Sequence, residues 1–121
     1  MSIAEDDKLS KNIIKLFSDP ENKFWVSQVT FIEFTIKLKL GKLNKLNVTN
    51  KEFFESIEKS GFNILELKKE HYLAYQNLEF IGKHRDPFDR FIIATAIYEE
   101  MAIISKDQEF HNYDDIVKIV W

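Results

Sequence analysis

The chain has 121 residues, a net charge of −3 and a hydrophobic fraction of 45%, with eleven Phe and no Cys. This length predicts a single domain over residues 1–121 with a substantial core, and the apolar content excludes general disorder. The absence of cysteine excludes disulfides, thiolate catalysis and cysteine-type zinc sites. No apolar stretch reaches membrane-spanning length, and the charged segment Met1–Lys11 does not resemble a secretory signal. We therefore expect a cytoplasmic protein with no membrane partner, whose charge still permits a local basic strip.

Hydrophobic spacing and capping signals predict alternating helices and strands in the first half of the chain. Two capping boxes, Thr30-x-x-Glu33 and Thr49-x-x-Glu52, predict helix starts, and glycines predict helix ends. The predicted elements are a helix that opens at Asp6–Ser10 and continues to Phe17, a strand over Lys23–Ser27, a helix over Thr30–Leu40 stopped by Gly41, and a helix from Thr49 to Lys59 ended by Gly61.

The second half of the chain continues the same alternation. The predicted elements are a strand over Phe62–Leu67, a helix over Lys69–Phe80, a helix over Pro87–Glu100, a strand over Met101–Ser105, a turn or single helical turn over Lys106–Phe110, and a last strand over Ile116–Trp121. Strands that alternate with helices are typical of an α/β domain with a mainly parallel sheet.

The segment His84–Tyr98 combines two carboxylates with a continuous apolar run, and the rest of the chain is organised around it. Asp86 is the natural N-cap, Pro87 fits the first helical position, and Asp89 falls in the first turn. Two acids near the positive end of a helix can stay ionised and hold a cation. The same pattern is also a good helix start without any function, and on this stretch alone the capping interpretation is the more common one.

Topology predicts which other acids could join this pair. In parallel sheets the ligand crevice lies outside the carboxyl ends of the strands. Glu33 follows the strand over Lys23–Ser27, and Asp107 follows the strand over Met101–Ser105. Asp86 and Asp89 would reach that edge only if their helix start bends toward it. Each acid has a plain alternative, because Glu33 could simply close a capping box and Asp107 could simply make a turn.

Three stretches carry a family resemblance. His84–Ala96, Val26–Leu43 and Ile104–Phe110, followed by a final strand that ends in Val120–Trp121, resemble in order the motifs of PIN domains, specifically VapC-like toxins. The resemblance covers nearly the whole chain. It implies a three-layer α/β domain with a mainly parallel central sheet flanked by helices. It also implies a metal-dependent endoribonuclease, the toxin of a toxin–antitoxin pair, with an RNA substrate, a cognate antitoxin and a homodimeric state.

The resemblance assigns the acids as a catalytic and metal-binding set. Glu33, Asp89 and Asp107 map onto the acidic cluster of the family, and Asp86 is an accessory metal-binding carboxylate in the same motif. Thr95 lies deeper on the helix and is assigned to packing. Because carboxylates suit hard, oxygen-seeking cations, the expected cofactor is Mg²⁺ or Mn²⁺.

The candidate RNA-binding residues are basic and lie near these acids. Lys37 and Lys42 belong to a lysine-rich stretch at the end of the second predicted helix, and His84 and Arg85 precede Asp86. Such residues could position a phosphate group. The alternative is a solvated basic surface, which is the usual role of lysine runs.

The sequence departs from the family pattern at its start. The family begins with a strand that carries the first metal-binding Asp, whereas Met1–Ser10 resembles the part that follows that strand. The expectation is that the first strand and its Asp are missing. A gene start further upstream, a genuine remnant, or a segment from a second copy would each account for this, and the first is favoured for the natural protein. The chain as given is expected to bind metal weakly and to cleave RNA poorly or not at all.

Two other functions remain open at this point. The chain could be a catalytically impaired PIN remnant that binds an antitoxin or itself, for which Phe31, Phe34, Phe53 and Phe54 are candidate contacts, although core packing is the more common role for each. It could instead be a phosphate-receiver-like α/β domain, but no predicted strand ends in a convincing phosphorylatable Asp.

Overall fold

A computed structural model describes residues 9–82 and 86–121. The predicted helix opening at Asp6 and Asp7 and the predicted RNA contacts His84 and Arg85 lie outside these residues. The chain forms two compact units. The middle unit is Lys23–Leu67, and the terminal unit comprises the described residues of Met1–Asn22 and Lys68–Trp121. The single domain expected over residues 1–121 stays a prediction.

Short strands and longer helices alternate along the described residues. The helices are α1 (Lys11–Ser18), α2 (Gln28–Lys39), α3 (Asn50–Lys59), α4 (Lys69–Asn77), α5 (Pro87–Glu99) and α6 (Gln108–His111), with a 3₁₀ turn at Asn44–Leu46 between α2 and α3. The strands are β1 (Trp25–Ser27), β2 (Asn63–Leu65), β3 (Ile103–Ile104) and β4 (Ile119–Val120). The predicted order of elements is confirmed over these residues.

All the described strand pairing is parallel. In the middle unit β1 pairs with β2, with Val26 opposite Ile64, and in the terminal unit β3 pairs with β4, with Ile103 opposite Ile119. The predicted α/β class with parallel strands is therefore confirmed. The strands are only two or three residues long and form two separate two-stranded sheets, so each sheet is smaller than the central sheet that was predicted.

Helix α2 starts two residues earlier than predicted, and the proposed capping box at Thr30 is wrong. Ser27 is the N-cap, and its Oγ accepts a hydrogen bond from the backbone N–H of Val29 at 3.2 Å. Because a serine directly after β1 already supplies this cap, Thr30 is a buried residue inside the helix. The predicted stop is confirmed: Gly41 has φ +74° and donates to the carbonyl of Leu38, which is the usual glycine ending of a helix.

Phenylalanine rings form the core of the middle unit. Phe31 and Phe34 of α2 are 5% and 1% exposed, and they pack against Phe53 and Phe54 of α3. The ring centroids of Phe34 and Phe53 are 4.0 Å apart and those of Phe31 and Phe54 are 4.5 Å apart, both stacked. The capping box at Thr49 and Glu52 that starts α3 is confirmed. The core interpretation of Phe31 and Phe34 is therefore confirmed.

Helix α5 is the central element of the terminal unit. It begins as predicted, with Asp86 as N-cap and Pro87 in the first turn. Ile93 and Ala96 of α5 pack in a buried cluster, whose other members are Ile103, Phe110, Tyr113 and Val117. An apolar run that continues round every face predicts a helix buried on all sides. This prediction is wrong for α5, because Tyr98 near its C-terminus is 49% exposed. Thr95 is buried, which agrees with its predicted packing role.

A buried polar contact joins α4 to α5. His71 is fully buried; its Nε2 lies 2.7 Å from Glu99 Oε2, and its Nδ1 accepts from the backbone N–H of Lys68 at 3.0 Å. Since Nδ1 is an acceptor, the ring proton is on Nε2 and is donated to the carboxylate. Helix α4 ends at Asn77, three residues before the predicted end at Phe80.

Among residues 9–82 and 86–121, no helix has both the length and the apolar character needed to cross a membrane.

Replacement of Phe34 by alanine should destabilise the middle unit strongly. Phe34 is 1% exposed and stacked on Phe53, so Phe34→Ala should lower the free energy of unfolding by about 3 to 5 kcal/mol. The matched control is Ile32→Ala on the exposed side of the same helix, which should cost less than about 1 kcal/mol. Urea denaturation followed by circular dichroism measures both, and equal losses would contradict the assignment of Phe34 to the core.

Candidate active site

Asp86 and Asp89 lie together at the start of α5. Asp86 Oδ1 accepts hydrogen bonds from the backbone N–H groups of Phe88 at 2.9 Å and of Asp89 at 3.2 Å. Both hydrogen bonds use the same oxygen, so the capping interaction engages one half of the carboxylate. Both side chains are partly exposed. The capping interpretation of Asp86 is confirmed, and a cation-binding role for either acid stays a prediction.

Asp107 lies just beyond β3, as predicted. Its backbone N–H donates to Ser105 Oγ at 3.1 Å, and its Oδ1 accepts from the N–H of Glu109 at 3.0 Å. Asp107 is therefore the N-cap of α6, which confirms the predicted helical turn. Asp86 and Asp107 both belong to the terminal unit, and each is fixed by the backbone of the helix that it begins.

Glu33 lies in α2 of the middle unit and has a close cationic partner. Lys37 Nζ is 2.6 Å from Glu33 Oε2, and the two side chains are 42% and 10% exposed. The spacing of four residues with Glu on the N-terminal side is the favourable orientation for such a pair. Since α2 begins at Gln28, Glu33 lies in the second helical turn and takes no part in the cap. Lys37 therefore balances the charge of a largely buried carboxylate.

The predicted RNA contacts have different environments. Lys37 is half-buried beside Glu33, whereas Lys42 is exposed directly after the glycine that ends α2. The backbone N–H of Lys42 donates to the carbonyl of Lys37 at 2.9 Å, so the turn fixes the start of the Lys42 side chain. His84 and Arg85 lie outside the described residues. RNA binding by these residues stays a prediction.

Three residues near the acids were missed by the sequence analysis. Ser105 is buried and orients the backbone of Asp107. Arg90 is 1% exposed and contacts Tyr113, which is itself fully buried. A charged residue at the start of a long apolar run was the available signal for Arg90, whereas neither Tyr113 nor Ser105 has a sequence pattern that indicates its partner.

The donor chemistry of the acids fits a hard cation, but their arrangement does not form a metal site within the described part of the chain. The candidates are carboxylates, which are the ligands that Mg²⁺ and Mn²⁺ prefer. Within residues 9–82 and 86–121, no group of three or more His, Asp and Glu side chains could hold a metal ion. No step of a reaction is therefore assigned to a metal ion from this geometry.

Comparison with known proteins identifies the family. The model of the PIN domain family matches residues 1–116, so the chain belongs to the PIN domain family. Neither the curated proteins nor the solved structures contain a match to this chain. PIN domains are generally nucleases, and the helices and short parallel strands described above are consistent with their α/β fold. The VapC-like type and the missing first strand stay predictions.

Capping and charge at Asp86 can be separated by two substitutions. Asp86→Ala removes the acceptor for two backbone N–H groups and should lower the free energy of unfolding by about 1 kcal/mol. Asp86→Ser keeps a capping oxygen without the carboxylate and should lose much less stability. Thermal and urea unfolding measure the difference. Equal losses would contradict a stabilising role for the cap.

Proposed function

We propose that this PIN domain is a metal-dependent endoribonuclease and the VapC-like toxin of a toxin–antitoxin pair. The observation that carries the proposal is the family match over residues 1–116, because PIN domains are generally nucleases. The position of Asp89 in the first turn of α5, directly after the Asp86 cap, supports it further. RNA is the proposed substrate, and the cytoplasm is the proposed location.

Glu33, Asp89 and Asp107 are the proposed catalytic acids, with Asp86 as an accessory ligand for Mg²⁺ or Mn²⁺. A bound divalent cation supplies charge neutralisation at a scissile phosphate and a more acidic water. Within the protein, the caps at α5 and α6 hold the backbones of Asp89 and Asp107 in fixed positions. Such fixed positions lower the cost of arranging the charged groups when substrate binds.

Lys42 is the better supported of the two proposed lysine contacts with RNA. Its side chain is exposed, whereas Lys37 Nζ already has an anionic partner at 2.6 Å. A lysine that neutralises one phosphate adds affinity that falls as salt concentration rises. His84 and Arg85, next to Asp86 in sequence, are proposed to bind the phosphate nearest the acids.

A cognate antitoxin and a second copy of the chain are the proposed protein partners. Large apolar side chains with substantial exposure support partner binding, and they include Trp25, Tyr72, Phe80 and Tyr98. Phe34 is excluded from this role by its burial in the middle unit.

RNA cleavage tests the proposed activity. Because metal binding is expected to be weak, the nuclease proposal predicts slow but measurable cleavage of a mixed RNA substrate by the purified chain with Mn²⁺. EDTA should stop the cleavage, and Asp89→Asn should reduce the rate by more than about a hundredfold, because even residues behind metal ligands contribute up to about that much. The matched control, Asp115→Asn, makes the same change at an exposed position after α6 and should leave the rate unchanged.

The outcomes separate active and inactive forms of the chain. Cleavage that survives EDTA or Asp89→Asn would contradict the proposal. Absence of cleavage by a chain that circular dichroism shows to be folded would contradict the nuclease proposal for the chain as given. It would favour a protein-binding module, the second candidate function.

The second candidate is a protein-binding module that has kept the fold with impaired catalysis. The observation that favours it is the absence of a three-residue metal-binding group within the described residues. Titration with Mn²⁺, followed by water proton relaxation, distinguishes the two. Stoichiometric binding that Asp89→Asn weakens supports the nuclease, whereas no binding together with a dimer in light scattering supports the module.

A further inference from the structure

Arg90 carries a buried positive charge next to Asp89. It lies in the first part of α5, is 1% exposed, and its backbone N–H donates to the carbonyl of Asp86 at 3.1 Å. A buried charge is costly unless hydrogen bonds and opposite partial charges compensate for it. The partners of Arg90 therefore show what this residue holds in place.

The guanidinium group binds the chain that follows α4. Nη2 donates to the carbonyl of Leu78 at 2.6 Å, and Nη1 donates to the carbonyl of Glu79 at 3.2 Å. These carbonyls lie at and just beyond the C-terminal end of α4, where the helix dipole favours a positive charge. The guanidinium carbon also lies 4.1 Å from the centroid of the Phe80 ring and 5.4 Å from that of Tyr75.

A further hydrogen bond of the same group reaches the segment after α6. Nη1 donates to the hydroxyl of Tyr113 at 3.3 Å. Tyr113 is fully buried, and its backbone N–H donates to the carbonyl of Phe110 in α6 at 3.0 Å. Asp107 begins that helix. Arg90 therefore bridges the turn that carries Asp89 and the helical turn that Asp107 caps, both within the terminal unit.

We propose that Arg90 is a positioning residue that, through the Tyr113 hydroxyl, fixes the placement of Asp107 relative to Asp89. None of the partners of Arg90 named above is a carboxylate, so its contribution is to the position of these elements rather than to the charge of the acids. The guanidinium group suits this role because its planar fork presents several donors in fixed directions. The catalytic meaning of the link rests on the proposed nuclease function, whereas the link itself does not.

Two variants test the link from its two sides. Arg90→Lys keeps the charge and removes the fork, and Tyr113→Phe removes only the hydroxyl. The control is Ile13→Val, which trims a fully buried side chain of α1 in the same unit without touching the link. Nuclear magnetic resonance measures amide exchange at the N–H of Asp89, which donates to Asp86, and at the N–H of Glu109, which donates to Asp107.

The expected result is a reciprocal change across the link. Arg90→Lys should speed exchange at Glu109, and Tyr113→Phe should speed exchange at Asp89, each by about threefold or more relative to Ile13→Val. The proposal would be overturned if neither variant speeds amide exchange at the far end of the link more than Ile13→Val does. If Arg90→Lys does not fold, the effect of Tyr113→Phe on Asp89 decides the question.

The functional consequence is measured separately. Where the wild type binds Mn²⁺ and cleaves RNA, Tyr113→Phe should weaken Mn²⁺ binding by about tenfold and lower kcat with little change in KM. An unchanged Mn²⁺ affinity and kcat in Tyr113→Phe would overturn the role of the link in catalysis. A wild type without Mn²⁺ binding or cleavage would contradict the proposed nuclease function, while the exchange measurements would still support or overturn the link.

Discussion

The start of α5 depends on one oxygen atom, Oδ1 of Asp86. It accepts hydrogen bonds from two backbone N–H groups that would otherwise lack partners inside the helix. Pro87 has no backbone N–H, so the first turn of the helix needs fewer hydrogen-bond acceptors. This cap sets the positions of Asp89 and Arg90, and Arg90 in turn binds the end of α4 and Tyr113. The start of this one helix therefore determines where Asp89, a candidate catalytic acid, and the buried guanidinium group of Arg90 lie.

The helix boundaries with clear local chemistry could be predicted from the sequence. Asp86, Thr49 and Gly41 act through neighbours within a few residues, and their roles as caps and stop were correct. The start of α2 was wrong because two capping signals compete there, and Ser27 at the end of β1 comes first. The extents of β2 and β4 were overestimated, since apolar alternation indicates a strand but does not limit how many residues pair.

The sequence could supply the candidate acids, whose role in a site stays a prediction, but it could not supply their contacts. Glu33 was predicted as a candidate acid from its position after a strand. Its ion pair with Lys37 was not predicted, and the two residues were given separate roles, because a spacing of four residues also fits an exposed pair. Arg90, His71 and Tyr113 were missed because the side-chain hydrogen bonds that join them to other elements span 11 to 28 residues. Contacts at that separation follow from the packing of α5 against α4 and against the segment after α6, and they leave little trace in local patterns.

The division of the chain has a consequence for the order in which the protein forms during synthesis. The middle unit is continuous in sequence, so β1, β2 and the helices between them are all available once Leu67 has left the ribosome. The terminal unit is discontinuous, and Asn12 of α1 donates to the backbone carbonyl of Trp121. Its earliest segment must therefore wait for its last, through the whole synthesis of the middle unit. During that interval Ile13 of α1, which is fully buried in the folded unit, is exposed to solvent.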